Sequence, residues 1–289
     1  MIIVKLMGGL GNQMFQYAAA RRLAWRHATA LKLDLSFFEG DQQGNTPRTF
    51  ALDQFRITAM KASTLEIGAM CDKVPSPLAR IFCRHIRYAW YREKCFHFDP
   101  QLLILPDNQC IEGYWQSSRY FADISDIIRD EFTVTRPLTG ENRKLADEIK
   151  SAESIAVHVR RGDYVQNENT RMFHGVCDID YYLKAEELLA QRLTAPRFFV
   201  FSDDPDWAVD NLRLNHPASY VNHNGSDQAH EDLRLMSMCR HHIIANSSFS
   251  WWGAWLSNSH DKMVVAPKRW FSDTSIDTND LIPPEWFRI

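Results

Sequence analysis

The segment His158-Val159-Arg160-Arg161-Gly162-Asp163-Tyr164 closes a short apolar run, so it falls where a buried strand ends. In open α/β sheets that edge is where ligands bind. Two adjacent guanidiniums beside a glycine suit a diphosphate, because each is always charged and meets phosphate oxygens through paired hydrogen bonds. Neighbouring strand residues face opposite ways, so Arg160 is expected to take the phosphate while Arg161 turns toward Asp163 or the core. An exposed arginine pair that grips nothing is the plain alternative.

A second constellation is Ala245-Asn246-Ser247-Ser248-Phe249-Ser250-Trp251-Trp252-Gly253, a strand-to-helix turn rich in hydroxyls. Small hydroxyl residues at a helix start offer O–H and backbone N–H groups to an anion, and the helix dipole favours negative charge there. The same serines could instead cap the helix. For Trp251, Trp252 and Trp255 a core role is expected.

Phe201-Ser202-Asp203-Asp204-Pro205 ends another strand and puts two carboxylates on the same edge, suited to ribose hydroxyls or guanine N–H donors. A divalent metal would want several further oxygen ligands at matching spacing, which are missing, so no metal is expected. Gly8-Gly9-Leu10-Gly11-Asn12-Gln13 opens a helix but is neither a dinucleotide fingerprint nor a phosphate-binding P-loop.

The elements that must position these residues alternate. Ile2 to Leu6 reads as a strand, followed by the glycine loop and a helix carrying Phe15, Ala19 and Leu23. Residues 34 to 107 are irregular, helical periodicity returns at Tyr120 to Phe132, and a polar stretch from Thr135 to Glu153 reads as a separator. Strands are then expected at Ser154–Val159, Arg197–Ser202, His242–Asn246 and Met263–Pro267, with helices at Tyr181–Leu193 behind Asp180 as N-cap, at Leu233–Arg240 and from Phe249. That order predicts an α/β protein with parallel sheets in two domains, 1–150 and 151–289, packed with a cleft between them.

With 289 residues, 45% hydrophobic and 24% charged, the chain can build such cores, and its net charge of −3 provides no field to attract nucleic acid. Six scattered cysteines without a CxxC pair read as reduced thiols of a cytoplasmic protein. No charged leader and no apolar stretch of about 18 residues is present, so an integral membrane segment is not expected, which leaves peripheral membrane association open.

Taken together, GGLGNQMFQYA at 8–18, HVRRGDY at 158–164, FSDD at 201–204 and ANSSFSWWGAWL at 245–256 resemble, in order and spacing, the α-1,2-fucosyltransferase family of bacteria and animals (glycosyltransferase family eleven). The resemblance implies a GT-B-like pair of Rossmann-like domains, an N-terminal acceptor side and a C-terminal GDP-fucose-binding side. It implies an inverting transfer of L-fucose from GDP-β-L-fucose to the 2-OH of a terminal β-galactose in an oligosaccharide, without cofactor or metal. By position, Arg160 resembles the donor-diphosphate ligand, with His158 against the nucleotide and Arg161 in support. Ser247, Ser248, Phe249 and Ser250 fall beside the phosphates, Ser202, Asp203 and Asp204 near the nucleoside, and Gly8, Gly9, Gly11 and Asn12 in a loop facing the fucose. In the related α-1,6-fucosyltransferases an aspartate sixteen positions before the second serine of the turn binds guanine, and here that residue is Asp232. The base for the acceptor hydroxyl would be Asp163 or Glu168, or no residue at all if the transition state is loose. Another nucleotide-sugar glycosyltransferase of the same architecture and a non-catalytic sugar- or nucleotide-binding module are the competing readings.

Overall fold

The structure, a computed structural model, describes residues 1–40, 46–70, 89–162, 172–173 and 175–289. The chain folds into two compact units, residues 1–133 with 277–281 and residues 134–276 with 282–289.

The first unit is built on a parallel sheet of β1 (Ile2–Lys5), β2 (Leu31–Asp34), β3 (Met60–Lys61), β4 (Ala89–Arg92) and β5 (Gln109–Glu112), in the order β3-β2-β1-β5-β4. Ile2, Ile3 and Val4 are wholly buried, as a β-branched run covered on both faces must be. Helix α1 (Leu10–Arg26) starts at Gly9, directly after Gly8 at φ +75°, a backbone conformation that disfavours a Cβ. Two buried glutamines of α1 hold the loop. Gln13 donates to the carbonyls of Gly8 and Thr49 at 2.9 Å and accepts from the Ala51 N–H. Gln16 accepts from the Met7 N–H at 2.9 Å. Strands β4 and β5 come from the stretch expected to be irregular; each is only four residues long, too short for a period-2 pattern to stand out. The helix expected over Tyr120–Phe132 is instead two 3₁₀ turns followed by α2 (Ser125–Glu131).

The second unit carries a parallel sheet of β6 (Glu153–Val159), β7 (Pro196–Ser202), β8 (Ala218–Val221), β9 (His241–Ile243), β10 (Val264–Ala266) and β11 (Phe287–Arg288), in the order β11-β10-β9-β6-β7-β8. On one face Ile155, Val157, Val159, Phe198 and Val200 pack against α4 (Ile179–Ala190), with Tyr181, Tyr182, Ala185 and Leu189 pointing in. On the other, Ala156, Phe199 and Phe201 pack against α3 (Gly140–Ser151) and α6 (Ala229–Met238). The period-2 alternation along β6 and β7 assigns each side chain to its face.

Helix α3 corrects the reading of Thr135–Glu153 as a separator: Leu145, Ala146 and Ile149 form a narrow buried stripe within a charged helix, and the second unit begins at Val134, not near residue 150. Helix α4 starts at Ile179, and its N-cap is Asp178, whose Oδ1 accepts from the Tyr181 N–H at 2.8 Å, in place of the expected Asp180. Helix α6 begins at Ala229, ahead of the expected Leu233, and β9 leaves regular pairing after Ile243, ahead of the expected Asn246. No helix among the described residues is long and apolar enough to cross a membrane.

Candidate active site

The second sheet has a topological switch point. From β6 the chain winds through α4, β7, α5 (Pro205–Asn211) and β8 in one direction; α6 then carries it back to β9 on the other side of β6. In open α/β sheets ligands bind at the carboxyl ends of the two strands from which the windings diverge. Those ends are His158–Arg161, which closes β6 and runs two residues beyond it, and Ala245–Ser250 after β9, the two segments singled out in the sequence. Consecutive tyrosines of α4 fix both lips: the Tyr181 hydroxyl donates to the Ile244 carbonyl at 2.6 Å, the Tyr182 hydroxyl to that of His158 at 3.2 Å. The His158 and Phe249 rings meet at 5.2 Å, joining the strand tip to the helix start.

On the β6 side, Asp203 organises the arginines. Its Oδ2 lies 3.1 Å from Arg160 Nη1 and its Oδ1 accepts the Arg161 N–H at 2.8 Å. The Arg161 guanidinium carbon stands 3.6 Å from the centroid of the Trp207 ring, a cation–π arrangement, with Asp204 Oδ2 3.9 Å from Nε. Asp204 also caps α5, and Ser202 donates to the Val159 carbonyl at 3.0 Å while accepting the Asp204 N–H. Of the three residues expected near the nucleoside, Asp203 and Asp204 thus contact the arginines, and Ser202 ties the end of β7 to that of β6. The Arg160 side chain keeps 18% of its surface exposed.

On the β9 side, α7 (Ser248–Leu256) starts behind Ser247, whose backbone is extended and whose hydroxyl makes no capping bond to the helix. Ser248 and Phe249 are half-buried. Ser250 is turned inward, fully buried, its hydroxyl donating to the carbonyls of Ala245 and Ser247 at 3.2 and 3.1 Å. Asn246 is clamped by donation to the Trp270 carbonyl at 3.1 Å. Trp251 and Trp252 are fully buried and Trp255 nearly so, and their rings pack on one another. They are core, as expected.

Asp232 sits in the first turn of α6 and accepts from Asn224 Nδ2 at 2.7 Å. Burial, with a smaller contribution from the charge of Glu231, pushes its carboxyl up to about 6 despite that hydrogen bond. Burial also lowers His158 to about 4, Asp203 opposing and Arg160 assisting, so its imidazole is neutral near pH 7. Among the described residues His158 Nδ1 has no hydrogen-bond partner, so a ligand N–H or O–H would be welcome there.

Gly8, Gly9, Gly11 and Asn12 belong to the first unit, with Asn12 Oδ1 accepting from Gln116 Nε2 at 2.9 Å. Asp163 and Glu168 lie outside the described residues. No group of three or more His, Cys, Asp or Glu able to hold a metal occurs among the described residues. Sequence reasoning missed Trp207, Tyr182 and Asn224: Trp207 and Tyr182 act on Arg161 and His158 across strand neighbours, and Asn224 meets Asp232 from a loop eight residues ahead of it, contacts that residue types and spacing do not display. The carboxyl ends of β6 and β9 thus bring two guanidiniums and the start of a helix to one edge of the sheet, groups whose chemistry suits an anion.

The family model "Glycosyl transferase family 11" matches residues 1–289. The chain is 32% identical to an Escherichia coli alpha-1,2-colitosyltransferase, over 100% of this chain and 98% of the relative. It is 25% identical to the Rattus norvegicus galactoside alpha-(1,2)-fucosyltransferase 1, over 86% of this chain and 62% of that protein. Among solved structures, a mutant of Arabidopsis thaliana FUT1 in complex with GDP superposes with a TM-score of 0.53 at 12% identity, covering 98% of this chain and 74% of that one, which shows a shared fold. The two parallel sheets with flanking helices are a GT-B-like α/β arrangement. With the family model matching from the first residue to the last, the chain belongs to glycosyl transferase family 11 and is a glycosyltransferase.

Proposed function

We propose that this enzyme transfers L-fucose from GDP-β-L-fucose to the 2-OH of a terminal galactose, with inversion and without a metal. The observation that carries the donor half is the convergence of the Arg160–Arg161 strand tip with the Ser247–Phe249 helix start, joined through the His158–Phe249 contact at 5.2 Å. Cleaving the sugar–phosphate bond leaves negative charge on the β-phosphate, and preorganised cations and amides stabilise that charge more in the transition state than in the ground state. In this reading Arg160 meets the phosphates, His158 contacts the nucleotide and Asp232 reads guanine. GDP bound to a protein of the same fold, together with the fucosyltransferase relatives, supports the nucleotide and the sugar.

The acceptor proton goes to Asp163 or Glu168, or directly to solvent if bond breaking runs well ahead of attack. One observation favours a second donor: the colitosyltransferase relative is aligned over the whole chain. Colitose is fucose without its 3-hydroxyl, so both donors present the same diphosphate to Arg160. The test is incubation with GDP-fucose or GDP-colitose and a panel of galactosides, with EDTA present, followed by linkage determination. An α-1,2-linked fucosyl product is expected; colitosyl product alone would favour the second donor, and release of GDP only after adding metal would contradict the metal-free mechanism.

A further inference from the structure

Asp232 is not held alone. Asn224, in the loop after β8, donates one amide hydrogen to Asp232 Oδ1 at 2.7 Å and the other to Asn142 Oδ1 at 3.0 Å. Asn142, in the first turn of α3, returns a donation to Asn224 Oδ1 at 2.9 Å, and His223 Nε2 lies 2.7 Å from Asn142 Oδ1. The directions are forced. Ionised Asp232 only accepts, so Asn224 must present its nitrogen; its oxygen then faces Asn142, whose own oxygen in turn requires a proton on His223 Nε2.

All three segments stand at the carboxyl edge of the second sheet: the loop follows a carboxyl end, α6 starts there, and α3, which leads into β6, has its first turn there. β8 lies two strands from β6, on the order of 10 Å at the usual inter-strand spacing. That separation suits a nucleoside with its phosphates at the tip of β6 and its base beside the loop after β8. A half-buried carboxylate that takes only one hydrogen bond from this network is costly to keep unless a ligand supplies more donors.

Building on the GDP reading above, we infer that the reciprocal Asn142–Asn224 amide pair is a positioning device that aims the Asp232 carboxylate at the N1–H and 2-amino donors of guanine, and so sets purine specificity. The pair links α3 to the loop and the loop to α6, so the carboxylate direction depends on both. Removing either amide lets the carboxylate swing and loses the two-point reading, while a single hydrogen bond to the base can survive.

The test is calorimetric titration of the intact protein with GDP and with IDP, which retains N1–H and lacks the 2-amino group, for wild type, Asn224→Ala and Asn142→Ala. Wild type is expected to bind GDP about tenfold or more tightly than IDP, as loss of one hydrogen bond to a charged group predicts. In either variant that ratio should fall to within about threefold of unity, chiefly through weaker GDP binding. A purely structural role would weaken both nucleotides alike and leave the ratio unchanged. A wild-type ratio retained in the folded variants overturns this inference and leaves the donor reading standing; two substitutions on different elements keep one available if the other unfolds. Wild type that binds GDP and IDP alike overturns this inference alone, while wild type that binds UDP, titrated alongside, as tightly as GDP overturns the donor reading and this inference together.

Discussion

At the scale of single residues, the proposed reading gives Arg160 the chemistry and Asp232 the selection. Arg160→Ala is expected to lower turnover by about 100- to 1000-fold, as deletion of one preorganised electrostatic contact does. Its ion pair with Asp203 is partly exposed, so circular dichroism and melting should report a folded protein with only a small loss of stability. Asp232→Asn should separate function from stability. The half-buried carboxylate is ionised at pH 7 against a desolvation penalty, so removing its charge should leave the melting temperature unchanged or raised while abolishing stabilisation by GDP. The pH dependence follows in sign. The folded-state carboxyl at about 6 lies above its unfolded value, so the contribution of Asp232 to stability is present at low pH and lost as pH rises through 6. The His158 imidazole, at about 4 when folded, is depressed, so its contribution is present above the unfolded value near 6.5 and lost as pH falls toward 4. The two oppose one another. In Asp232→Asn the melting temperature should therefore fall more steeply between pH 6.5 and 4 than in wild type, and a parallel pair of curves would contradict the assignment.

At the scale of elements, two glycines set close approaches. A Cβ on Gly162 would meet Asp203 Oδ2 at 2.5 Å, and that carboxylate is already committed to Arg160 and to the Arg161 N–H. Gly162→Ala should displace it and lower kcat while costing little stability, measured by initial rates beside a thermal melt. A Cβ on Gly253 would lie 2.7 Å from Met236 Cε and 3.1 Å from its Cβ, between α7 and α6. Gly253→Ala should destabilise the fold by about 1–3 kcal/mol through overpacking, read from denaturant midpoints. What the sequence displayed of these elements depended on length and burial. β6 and β7, seven residues each with apolar cores, were legible to within a residue at each end, as was the start of α7 behind its serines. β4 and β5 were not, because four residues that owe their pairing to distant neighbours carry no local period. α3 was misread because three buried residues in twelve leave a mostly charged surface. The arginine and serine motifs were visible as types and spacing; that Asp203 serves Arg160, and that Ser250 faces the core, depend on how strands neighbour one another.

At the scale of the whole molecule, the account requires that a guanine nucleotide bind the folded chain and stabilise it. GDP with EDTA present should raise the melting temperature and UDP should not, because a ligand that binds only the folded state shifts unfolding in proportion to the logarithm of its concentration over Kd. The family, shared from end to end, fixes glycosyl transfer; the sugar and the linkage rest on the product assay. The measurement that bears most directly on the central claim is a crystal structure of the protein with GDP. The diphosphate should lie within hydrogen-bonding distance of the Arg160 guanidinium and of the helix start at Ser247–Phe249, with guanine against Asp232. A diphosphate bound away from residues 158–161 and 247–249 would contradict the account.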